Sequence, residues 1–82
     1  MSASAQTPIP TAAQLAEKRR ALGISQRVLA ELIRSGRVTI ARYETGADRI
    51  SERRARQIAA TLETLELGYR AARAVAGEAG RL

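Results

Sequence analysis

The chain has 82 residues, a formal net charge of +6 and 45% hydrophobic residues, with no Phe, Trp, Cys or His. That composition suits one small domain with an aliphatic core, and a chain this short gains from burial against a second copy or a partner. Without Cys or His, a disulfide framework, a Cys/His zinc site, a thiol nucleophile and a histidine general base are all excluded.

The chain opens with "MSASAQTPIP", small and polar with two prolines, and residues 1–10 are expected to form a flexible arm. This opening has neither the basic start nor the apolar run of a signal peptide, and no stretch of the chain is long and apolar enough for a membrane span. The expected location is therefore cytoplasmic. In "PTAAQL", Thr11 and Gln14 have the spacing of a capping box, with Leu15 at a staple position, so a first helix is predicted from about Ala12 to Leu22, stopped by Gly23. Ser25 can cap a second helix from Gln26 to Ile33 or Arg34, with Ile24 packing on Leu29. A third helix is predicted from Arg37 to Glu44, ended by Gly46, and a fourth begins at Glu52 behind Ser51.

Beyond that point Ile58, Leu62, Leu65, Tyr69, Ala72 and Ala76 recur at spacings of 4, 3, 4, 3 and 4, a seam suited to another helix. Gly68 interrupts the seam and is expected to end the fourth helix, with a short fifth helix reaching about Ala76. Ile58 and Leu62 are assigned to the domain's own core. Leu65, Tyr69, Ala72 and Val75 are assigned to a two-fold dimer contact.

Two charges fall on inward faces. Leu15, Arg19 and Leu22 share one stripe of the first helix, and Ile40 and Glu44 lie one turn apart on the third. An unpaired buried charge costs several kcal/mol, so Arg19 and Glu44 are expected to form a structural ion pair. The opposite face of the third helix presents Arg37, Val38, Ala41 and Arg42. Arg37 opens that helix, where a cation costs an isolated helix about 0.3–1 kcal/mol. Its retention there asks for an external anion. All but one of the 14 basic residues are arginine, and residues 18–56 carry eleven basic against four acidic side chains. That middle segment is the polyanion-facing part. A short helix with cationic and small outward groups fits a DNA major groove, where its edge can read three or four base pairs. Tyr43 is assigned to core packing and Arg53, Arg54 and Arg56 to a solvated face. Arg34 could serve either as a solvated residue or as a phosphate contact.

The stretch "LAEKRRALGISQRVLAELIRSGRVTIARYETG", followed by "ISERRARQIAATL", resembles the helix-turn-helix domain of phage Cro and lambda-repressor-type regulators over about residues 12–64. The matching features are Leu-Gly-Ile-Ser-Gln leading into the second helix, Leu29 and Ala30 within it, Ile40, the Tyr43-Glu44-Thr45-Gly46 ending, and Ile58, Ala59 and Leu62. The resemblance implies that Gln26 binds a phosphate and braces the recognition helix. It also implies that Arg37, Val38 and Arg42 read bases, that Thr39 and Thr45 touch the DNA backbone, and that Arg19 and Glu44 pair. Arg27, Gly36 and the loop residue Arg49 complete the expected backbone set. The family usually has Gly where Arg34 stands and an apolar residue where Ser35 stands, so Gly36 is the candidate for the permissive turn residue.

The expected fold is thus all-α, a compact five-helix lambda-repressor-like bundle. It divides into an arm (1–10), a helix-turn-helix DNA-binding domain (11–64) and a C-terminal helical segment for dimerisation with a frayed end (65–82). The expected function is sequence-specific binding of double-stranded DNA as a homodimeric repressor occluding a promoter at an inverted repeat, with no cofactor, no metal and no membrane partner. The rival reading is a protein-interaction module, antitoxin-like or adaptor-like, that uses the C-terminal helix. An enzyme is not expected, because Glu, Asp and Arg alone form no catalytic constellation.

Overall fold

The computed structural model describes residues 8–79, which form four helices and, among those residues, no strand: α1 (Ala12–Ala21), α2 (Gln26–Leu32), α3 (Arg37–Thr45) and α4 (Glu52–Ala79). Of the expected arm only Pro8, Ile9 and Pro10 are described, without regular secondary structure; the rest of the arm and the chain's last three residues lie outside the described part.

Three of the helices, α1, α2 and α4, start where a side chain can satisfy free amides. The Thr11 hydroxyl accepts from the Gln14 amide at 3.1 Å while the Gln14 side chain accepts from the Thr11 amide at 2.9 Å, a complete capping box. Ser25 caps α2 through the Val28 amide, and Ser51 caps α4 through the Arg54 amide. The start of α3 differs, since its N-cap is Gly36 and no side chain serves it.

One core holds the four helices together. Leu15 of α1, Leu29 and Ala30 of α2 with Ile33 at its C-cap, Ile40 of α3, and Ala55, Ile58 and Leu62 of α4 are all buried in a single cluster, with Leu22, Ile24, Tyr43, Ile50 and Ala59 packed around it. Burying each large aliphatic side chain contributes about 1.5–3 kcal/mol, and α3, only nine residues long, depends on its one fully buried residue, Ile40.

Two local expectations are corrected. The turn between α2 and α3 takes its left-handed residue at Arg34 (φ 56°), whereas Gly36 is extended at φ −84°. The Arg34 amide donates to the Glu31 carbonyl and the Ser35 amide to the Ala30 carbonyl, so closing the end of α2 requires the left-handed residue at 34. Packing of α2 on α3 overrides the preference for glycine there. The second correction is that Gly68 breaks nothing: α4 runs unbroken for 28 residues, and the described residues form four helices where five were expected. One interior glycine costs a helix only about 0.5–1 kcal/mol relative to alanine. The good helix formers around it outweigh that cost, and the pair of Glu66 and Arg70 spans the position at 3.3 Å. A further ion pair, Lys18 with Glu66 at 3.2 Å, fastens α4 to α1. Past Glu66 every described side chain of α4 is exposed, including Leu67, Tyr69 and Val75.

Candidate nucleic-acid interface

The outward face of α3 follows from what its inward face must bury. With Ile40 in the core and Tyr43 and Glu44 turned toward it, the helical repeat sends Val38 and Arg42 the opposite way. Val38 is 62% exposed, Arg37, Arg42 and Thr45 are exposed, and Thr39 and Ala41 are half-buried. Cations and one small apolar group therefore form the solvent edge of this helix.

Behind that edge lies a continuous hydrogen-bond network. Arg19 donates through Nε to Glu44 Oε2 at 2.8 Å and through Nη2 to Glu44 Oε1 at 3.0 Å, and its Nη1 donates to the Ile24 carbonyl at 2.7 Å. Both side chains are about nine-tenths buried, so the pair ties α1 to the end of α3 inside the fold. Gln26 Nε2 donates to the same Glu44 Oε1 at 2.9 Å, and Gln26 Oε1 accepts from Arg37 Nη1 across a long 3.4 Å contact. Burial pushes the Glu44 carboxyl up, but the hydrogen bonds from Arg19 and Gln26, with the charges of Arg19 and Arg20, outweigh it and hold the pKa below its ordinary value. Glu44 thus remains an acceptor for both partners.

The expected site residues are not all joined to one another. Arg37, Gln26, Glu44 and Arg19 are joined by the network. Arg42 is joined to another residue altogether: Nε donates to Asp48 Oδ2 at 2.8 Å and Nη2 to Asp48 Oδ1 at 3.0 Å. This bidentate hydrogen bonding raises the Arg42 pKa and lowers that of Asp48. Thr45 donates its hydroxyl to the Arg42 carbonyl, and Arg27 lies 3.8 Å from Glu31 along α2. Gly36 and Arg49 are exposed in the segments before and after α3. Sequence reading missed Asp48, because its partnership comes from a loop rather than from helical spacing. The available signal was Gly46, whose left-handed backbone (φ 82°) turns the chain back along α3.

Elsewhere Arg34, Arg53 and Arg54 line a polar groove of about 390 Å³ beside Tyr43 and Ser51. Arg54 is hydrogen-bonded to Gln57 and Arg56 to Glu52. Leu65 is half-buried, while Tyr69, Ala72 and Val75 are exposed on α4. Among the described residues no helix is long and apolar enough to cross a membrane.

Two helices meeting through a tight turn, the second with a cationic outer edge, on a bundle completed by α1 and α4, define a helix-turn-helix domain. The model of the helix-turn-helix family matches residues 15–69, more than half of the chain. The protein belongs to the Cro and lambda-repressor type of that family, a family of DNA-binding transcription regulators. No curated protein and no solved structure matches the chain significantly.

Proposed function

We propose that the protein is a homodimeric repressor that binds double-stranded DNA at an inverted repeat and blocks a promoter by occupying it. Residues 11–64 are the DNA-binding unit and residues 65–82 the dimerisation segment. Arg37, Val38 and Arg42 read base edges in the major groove, where an arginine fork matches guanine O6 and N7. Gln26, Arg27, Gly36, Thr39, Thr45 and Arg49 hold the phosphodiester backbone and set the register. Leu65, Tyr69, Ala72 and Val75 bring two copies together. One observation carries the reading: the exposed edge of α3 is cationic, and its leading arginine is braced from behind by Gln26.

One recognition helix reads only a few base pairs, so a dyad of two reads enough sequence to find a site. Selection of bound sites from a random double-stranded DNA pool tests this. The expected product is an inverted repeat with half-sites about one DNA turn apart, roughly 34 Å. Recovery of unselected sequence would reject sequence-specific repression. The exposed second half of α4 also supports the interaction-module reading. A protein that sediments as a monomer both alone and on DNA would favour that alternative.

A further inference from the structure

The end of α3 does more than stop a helix. Gly46 in the left-handed region reverses the chain, and two residues later the Asp48 amide donates to the Arg42 carbonyl at 3.1 Å. Asp48 is thereby anchored on the backbone to the residue whose side chain it grips. Its carboxylate takes the guanidinium side-on, through Nε and one hydrogen of Nη2. A guanidinium carries five N–H donors, so three remain. They include one from each Nη, and these two form the end-on fork that fits guanine O6 and N7. The grip and the reading edge use different sides of one planar group.

Stability does not account for this pair. Its side chains are 53% and 43% exposed, and exposed ion pairs contribute little to folding. What the pair does is restrict a long side chain on the outer face of α3 to one direction while offsetting its charge. Arg27 and Arg49 differ, since among the described residues neither has a carboxylate gripping it bidentately. We infer that Asp48 is a positioning residue for specificity: it holds Arg42 with its end-on fork free, so that Arg42 reads one guanine per half-site instead of wandering to the nearest phosphate. This inference rests on the DNA-reading role proposed above.

The consequence is opposite for affinity and for selectivity. Removing the carboxylate deletes a negative charge near the DNA and releases Arg42 to phosphates, so binding to random DNA strengthens while discrimination at one position falls. The test applies site selection and competition binding to the wild-type protein, Asp48→Asn, Asp48→Ala and Arg42→Ala, with thermal melting as a folding control. Arg42→Ala is expected to erase a guanine preference at one position per half-site. Both Asp48 variants are expected to weaken the same preference about tenfold, leave the other positions intact, bind random DNA more tightly with steeper salt dependence, and melt like the wild type. Undiminished or sharpened preference at the Arg42 position in the Asp48 variants would overturn the inference while leaving DNA reading intact. If the wild-type protein enriches no sequence, the DNA-reading premise itself fails, and the positioning role fails with it.

Discussion

Gln26 and Glu44 stand 18 positions apart and meet through a hydrogen bond of 2.9 Å, on the carboxylate oxygen that also receives Arg19. An ionised carboxylate can only accept, so the Gln26 amide must turn Nε2 toward Glu44 and Oε1 toward Arg37. The orientation of a surface amide at the start of α2 is therefore dictated from the interior. An ion pair that fastens α1 to α3 also aims the group that braces the first turn of α3.

Cutting that pair should be costly. Glu44→Ala leaves Arg19 buried without its carboxylate, and a loss of about 3–5 kcal/mol is expected. Thermal melting without DNA measures it, and an unchanged melting temperature would show that the buried pair contributes nothing.

The same carboxyl makes a defined contribution to acid sensitivity. Its pKa is lower in the folded than in the unfolded chain, so the unfolded chain binds more protons as the pH falls. The stabilisation is complete above the unfolded pKa of Glu44 and lost as pH falls through the depressed folded value. Denaturant titrations across the acid range should show Glu44→Gln less stable at neutral pH and less dependent on pH in that window. Parallel curves would refute the linkage.

Bracing and reading separate by their sequence dependence. Arg37→Ala is expected to cost about 1–3 kcal/mol on the preferred site and to relax one position, whereas Gln26→Ala should weaken all sequences more evenly. Competition between preferred and scrambled duplexes distinguishes the two patterns. Identical profiles for the two variants would contradict this division of roles.

Self-association is best probed at positions already exposed in the monomer. Tyr69→Glu with Val75→Glu avoids half-buried Leu65, so the fold and its melting should be preserved while dimers dissociate and tight operator binding is lost. Sedimentation at micromolar concentration reads the state directly. A double variant that stays dimeric would remove this face from the interface.

Much of the framework was legible because it is written in local signals. Thr11 with Gln14, Ser25, Gly46 and Ser51 mark helix ends through short-range hydrogen bonds, and one-turn spacing turned Arg19 and Glu44 toward the same interior. Arg34, Gly68 and Asp48 were not legible, each for a distinct reason. The left-handed backbone at Arg34 is imposed by packing of α2 on α3. Gly68 is outvoted by its helical neighbours. Asp48 meets Arg42 only after a glycine reverses the chain, a relation without periodicity.

The first two of these exceptions predict opposite substitutions. A Cβ at Gly68 would meet nothing within 4 Å, so Gly68→Ala should stabilise the protein by about 0.5–1 kcal/mol. At Arg34, relief of left-handed strain worth about 1–3 kcal/mol exceeds the roughly 0.4–1 kcal/mol that a glycine returns to the unfolded chain. Arg34→Gly should therefore gain about 1 kcal/mol, raising the melting temperature by roughly 4–8 °C. A lower melting temperature in either variant would contradict the corresponding argument.

Because α4 passes from Ile58 and Leu62 in the core to Tyr69 and Val75 without a joint, the azimuth of its far half is locked to the domain like a splined shaft. Angle becomes a count of residues. One residue inserted after Leu67 would swing everything beyond it through about 100° while advancing it only about 1.5 Å. Seven would restore the facing to within about 20° but push it outward by roughly 10 Å. Whatever docks on that half, rotational phase and reach can thus be varied almost independently, with the core left untouched.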